Sequence, residues 1–192
     1  MRFNKDNLDK FYDYDMHIET RTIYVGDTND DGVGPRMAEF LIKSIHVLSA
    51  SAPDKPIKII LNSQGGSWFD GLAIYDAIKA SPCHVSIEVM GSAMSMGSII
   101  LQAADERILH PSATIMIHDG YSGMEADVRT FENWADFDKK IRRPKMYEIY
   151  SERSKKPSKY WERRCSHDYI LTAEQAIEEG LADKLFGEDE NA

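Results

Sequence analysis

The sequence predicts an α/β protein: a mostly parallel sheet covered on both faces by helices. Runs rich in β-branched and aromatic residues alternate with segments whose apolar residues recur at helical spacing, the pattern of parallel strands joined by helical crossovers. The second observation is size. The 192 residues, 42% of them hydrophobic, suffice for one sizeable core, so residues 1–192 are expected to form a single domain.

Residues 1–20 are polar with scattered aromatics and are expected to form a short helix or a flexible arm. "RTIYVGD" (21–27) reads as a strand ending in a turn at Gly26. Met37, Leu41, Ile45 and Leu48, with Phe40 widening the face, mark an amphipathic helix capped near Asp30 or Asp31. "SASAPDKP" closes it, and "IKIILN" (57–62) is a strand running into "SQGG". "WFDGLAIYDAIKAS" (68–81) is a helix, "HVSIEVMG" (84–91) a strand, "SMGSIILQAA" (95–104) a buried helix and "ATIMIHD" (113–119) another strand. From Glu125 to Arg164 the chain is charged and aromatic, with Val128, Phe131, Trp134, Phe137 and Ile141 at helical spacing. Pro144 should kink or end that helix. "LTAEQAIEEGLADKLF" (171–186) reads as a helix with Thr172 as N-cap and Gly180 as stop, before a frayed tail over 187–192.

A formal net charge of −9 argues against nucleic-acid binding, which draws its affinity from a basic excess. Cys83 and Cys165 are far apart and in no metal-ligand spacing, so two buried free thiols in a reducing compartment are expected, with no metal and no cofactor. "MRFNKDNLDKFYDYD" has no apolar leader region and no apolar run approaches a membrane span, so a soluble, cytoplasmic protein is expected.

Three junctions carry candidate chemistry. Ser95 follows a strand and opens a helix in "AMSMG", a departure from the Gly-x-Ser-x-Gly elbow because Ala93 holds the first position. Helix-terminal N–H groups there could stabilise an oxyanion; capping by Ser92 or Ser95 is the plainer alternative. "NSQGGS" (62–67) has a glycine pair that could aim an N–H at a ligand or simply make a tight turn. His118 ends an apolar strand, at the edge where ligand sites of open α/β sheets gather. Asp105, Asp119, Asp127 and Asp168 are candidate acids that periodicity does not separate.

From Arg21 to Phe186 the set of motifs resembles the ClpP family of ATP-dependent, caseinolytic serine peptidases. The resemblance is carried, in order, by "LNSQGGS", "GLAIYDAI", "GSAMSMGSIILQAADERILHPSATIMIH" and "HDYILTAEQAIEEGLADKL". It implies Ser95 as nucleophile, His118 as general base and Asp168 as orienting acid, with the N–H groups of Gly66 and Met96 forming the oxyanion hole. It also implies a crotonase-like fold with a protruding handle helix around Glu125 to Tyr150. The expected assembly is two stacked heptameric rings, a homo-oligomeric tetradecamer, and the expected partners are polypeptide substrates and an AAA+ unfoldase.

The sequence departs from the family at three points. Gln64 stands in place of a proline before the glycine pair, which should loosen the oxyanion loop. "HDG" replaces His-Gln-Pro, and His167 replaces an arginine that bonds between neighbouring subunits. The alternatives are an inactive ring subunit, a crotonase-like acyl-CoA enzyme, and a related capsid-maturation or membrane-associated peptidase.

Overall fold

The computed structural model describes residues 15–27, 32–121, 123 and 125–188. Strand β1 (Met16–His17) pairs antiparallel with β2 (Thr22–Gly26). The sheet then runs parallel through β3 (Ile57–Ser63), β4 (Val85–Met94) and β5 (Glu106–Leu109) to β8 (Lys184–Leu185). Two more strands branch from β4. Its second half pairs in parallel with β6 (Thr114–Ile117), which pairs antiparallel with β7 (Tyr169–Thr172). Residues Val85–Val89 are buried without alternation, as expected of a central strand covered on both faces.

β4 is longer than the predicted 84–91 because it changes neighbours midway. Ser86–Val89 pair with β5, whereas Ser92–Met94 pair with β6. Gly91 makes the bend: its φ is 93°, and a Cβ there would lie 2.7 Å from the Asn62 side-chain oxygen. This bend creates the corner on which the candidate site sits.

Helix α1 (Pro35–Ser51) starts from Gly34, with Pro35 in the first turn, where its missing N–H costs nothing. Asp30 and Asp31, the expected caps, lie outside the described residues, as do residues 1–14 and 189–192. Within the expected N-terminal arm, the described part contributes β1 rather than a helix. The C-terminal end of α1 is closed by Arg21. Its guanidinium donates to the carbonyls of Leu48, Ala52, Lys55 and Pro56, placing a cation at the negative end of the helix. Helix α2 (Trp68–Lys79) packs against α1 and against the short α3 (Met96–Leu101).

The charged, aromatic segment forms α4 (Val128–Phe137), a π-helical turn over Asp138–Arg142, then α5 (Arg143–Ser154). Pro144 does not end the helical run. The Arg143 N–H bonds Asp138 O five residues back, and the proline then falls in the first turn of α5, where no donor is needed. No residue of α4 is buried. A separate helix, α6 (Ser158–Cys165), follows the left-handed Lys155 and buries Trp161 against Tyr150.

The expected 171–186 helix is instead three pieces. Tyr169–Thr172 are drawn into β7, α7 spans Ala173–Glu178, and Lys184–Leu185 join the sheet edge as β8. Both expected ends of α7 hold: Thr172 forms a capping box with Gln175, and Gly180 follows the helix at φ 79°. Cys83 and Cys165 are buried free thiols, as predicted. No helix of the described residues is long and apolar enough to cross a membrane, and they hold no His/Cys/Asp/Glu cluster suited to a metal.

Asp183 ties the β8 edge to β5. Burial alone would raise its carboxyl pKa, but the Arg107 hydrogen bonds and charge, with Arg153 beside them, hold it below the ordinary value of 3.8. A depressed carboxylate stabilises the fold above its unfolded-state pKa, and that contribution is lost as pH falls through the lower folded value. Urea denaturation of the wild-type chain should therefore weaken below about pH 4, and Asp183→Asn should flatten that part of the profile. Identical profiles for the two proteins would show that this pair carries no linkage.

Candidate active site

Ser95 joins β4 to α3 with φ 49° and ψ −120°, a conformation that costs a non-glycine residue about 1–3 kcal/mol. The surroundings hold it there. Its N–H donates to Met116 O at 2.8 Å, and its carbonyl accepts the Ser98 hydroxyl at 2.6 Å. Ser98 Oγ in turn lies 2.7 Å from the fully buried Tyr150 hydroxyl. The backbone of Ser95 is thus satisfied, and its hydroxyl makes no capping bond. The capping alternative does not describe this serine.

Sheet register brings the partners in. Ile117 pairs with Tyr169, so the next step of the β6–β7 pairing sets His118 opposite Asp168. Parallel pairing of Met94 with Met116 puts Ser95 at the same corner. His118 Nε2 lies 2.8 Å from Ser95 Oγ, and Nδ1 lies 3.0 Å from Asp168 Oδ1. An imidazole bridging a carboxylate and a hydroxyl can take the hydroxyl proton while its other nitrogen is held. Asp168 is itself positioned from β7, where the neighbouring Tyr169 hydroxyl donates to Glu179 at 2.9 Å.

The other three candidate acids are occupied elsewhere. Asp105 accepts the Val85 N–H at 2.8 Å. Asp119 accepts the Tyr147 hydroxyl at 2.6 Å, and Asp127 caps α4 through the N–H groups of Arg129 and Thr130. None of these bonds involves His118.

The glycine loop is packed directly on this corner. A Cβ at Gly65 would lie 2.6 Å from Ser95 Cβ and 2.9 Å from Met96 N, so only glycine fits. Along residues 64–67 the N–H groups are almost all used. Gln64 donates to Asp27, Gly65 to Ser63 Oγ and Ser67 to Val33 O. Among the described residues, the Gly66 N–H alone in this stretch has no acceptor. Met96, at the first position of α3, likewise has no intrahelical acceptor for its N–H. Gln64 ties the loop at two points: its side-chain amide donates to Ser92 Oγ at 3.0 Å and its N–H to Asp27, neither of which a proline could offer. His167, exposed, lies with Nδ1 3.0 Å from Ser166 Oγ.

A groove of about 820 Å³ opens from Ser95 and His118 toward α4. Phe69 meets Trp134 and Phe137 along it, and the Arg142 guanidinium lies over the Trp68 ring. These aromatics were legible only as helix-face residues, because the groove forms between α2 and α4, segments far apart in sequence. Tyr121, edge-on to His118, likewise carried no signal of its own.

The family model described as Clp protease matches residues 5–189 of the chain. The ATP-dependent Clp protease proteolytic subunit of Deinococcus radiodurans is 32% identical over 180 residues, covering 92% of this chain and 86% of that relative.

Proposed function

The chain belongs to the Clp protease family and is a serine-type endopeptidase; from that premise we propose that it hydrolyses unfolded polypeptides with Ser95, His118 and Asp168. The observation that carries the assignment is the imidazole of His118, set between Ser95 Oγ and Asp168 Oδ1 by residues far apart in the chain.

His118 takes the proton from Ser95 as Oγ attacks the scissile carbonyl carbon. The resulting oxyanion is received by the N–H groups of Gly66 and Met96. Collapse breaks the C–N bond, and the imidazolium delivers its proton to the leaving amine. Water, activated by the same imidazole, then releases the acyl group from Ser95. Asp168 holds the tautomer and balances the imidazolium charge. Side chains enter the apolar groove between α2 and α4.

The proposal extends to assembly. Two heptameric rings of this chain would stack and enclose the sites, with α4 to α5 as the handle between them. The exposed Val128, Phe131, Trp134 and Ile141 supply apolar surface for such a contact. An AAA+ unfoldase would feed chains into the chamber, in the cytoplasm, a setting that suits two free thiols.

Fluorophosphonate labelling followed by mass spectrometry of the modified peptide tests the site. A single adduct on Ser95, abolished by His118→Ala, is the expected result. A folded, assembled protein that takes no adduct would instead be an inactive ring subunit.

A further inference from the structure

We infer that Asp27 is a positioning residue for the Gly66 N–H, acting through Gln64; this rests on the reading of Gly66 as an oxyanion donor. Asp27 directly follows β2, whose last residue, Gly26, pairs with Asn62 of β3. The two strands therefore end side by side, and Asp27 stands level with the start of the glycine loop. Its Oδ2 accepts the Gln64 N–H at 2.5 Å, a bond strengthened by the carboxylate charge. A side chain here takes over where the β2–β3 ladder stops.

The other end of Gln64 is also held. Its amide donates to Ser92 Oγ, and Ser92 is bound through its N–H to Asn62 Oδ1 at 3.1 Å. Ser92 lies on β4, in the turn of strand that leads to Ser95. Gln64 is thus pinned by its backbone to the β2 end and by its side chain to the nucleophile strand. Gly65 and Gly66 follow at φ 102° and 152°, with no side chains of their own to resist rotation of a peptide plane. The direction of the Gly66 N–H is then only as fixed as its anchors: Asp27 and the Ser63 hydroxyl before it, and the Val33 bonds to Gly65 and Ser67 around it.

A second observation concerns the same side chain. Asp27 Oδ1 is buried and has no hydrogen-bond partner among the described residues. An unpaired buried carboxylate oxygen is destabilising, so this aspartate is not explained by its contribution to the fold. Its use is the bond that the other oxygen makes to the loop.

The test measures kcat and KM for a short fluorogenic peptide, together with the rate of fluorophosphonate labelling at Ser95. Asp27→Ala should lower kcat and the labelling rate together by about 10–100-fold, with KM within about twofold, because a donor slightly out of place fails mainly in the transition state. Asp27→Asn keeps an acceptor oxygen and should recover to within about threefold of wild type. Gln64→Pro removes the N–H that Asp27 bonds, so in that background Asp27→Ala should cost less than about twofold. Should the alanine variant not fold, Asp27→Leu, similar in shape but without an acceptor, carries the same expectation.

Wild-type kcat in Asp27→Ala, or a full loss that persists in the Gln64→Pro background, would overturn the positioning role while leaving the site assignment intact. A wild-type chain without Ser95-dependent hydrolysis or labelling would overturn both.

Discussion

Ser95→Ala is expected to lower peptide hydrolysis by about 10⁴–10⁶-fold and to leave the fold and assembly unchanged. On the proposed mechanism, the size follows from removing the atom that forms the acyl bond. On that mechanism, the residual activity would come from the groove and from the Gly66 and Met96 N–H groups, which would still bind and polarise the carbonyl. Stability should hold because among the described residues the Ser95 hydroxyl bonds only His118, whereas the backbone bonds to Met116 and Ser98 survive the substitution. Alanine inherits the same positive φ, so the strain is neither relieved nor added. Turnover of a fluorogenic peptide and sedimentation of the same sample check both halves. Near-normal turnover would mean that another residue is the nucleophile.

Asp168→Asn should cost about 10³–10⁴-fold in kcat at neutral pH. An asparagine can turn its NH₂ group toward His118 Nδ1, which favours the tautomer with a proton on Nε2. That tautomer cannot accept the Ser95 proton. The Asp168 side chain is 47% exposed while the His118 side chain is 10% exposed, so much of the carboxylate charge is screened. On the proposed mechanism, orientation rather than charge is then the larger part of what Asp168 would supply. The expected signature is a loss in kcat with KM little changed. A loss below about tenfold would show that His118 keeps its tautomer without this partner.

Much of the fold was readable because it is written in local periodicity. The strands Thr22–Gly26, Ile57–Ser63 and Thr114–Ile117, and the helices Pro35–Ser51 and Trp68–Lys79, each bury one or both faces against the same core. Where prediction failed, long-range pairing overrode a local pattern. Glu106–Leu109 and Lys184–Leu185 are too short to show a period, and they are strands only because they lie along β4 and along each other. Leu171 and Thr172 read as the start of a helix, and with Tyr169 and Ile170 they became a strand because β6 offered an edge. Pro144 read as a breaker, and the π-helical turn before it turned it into a first-turn residue.

The site divides in the same way. The sequence by itself determined which residue types stand at the ends of strands: Ser95 opening a helix, His118 closing an apolar run, a glycine pair after Asn62. Ordered motifs then carried the family resemblance, because those positions depend on neighbours along the chain. Residue pattern alone left Asp105, Asp119, Asp127 and Asp168 open and the resemblance pointed to Asp168 and Gly66; the tertiary structure sets Asp168 against His118, and it alone decided that Asp27 holds Gln64. Those choices depend on strand register and on contacts between distant segments. A carboxylate looks the same in sequence whether it caps a helix, binds a tyrosine or meets an imidazole across a sheet.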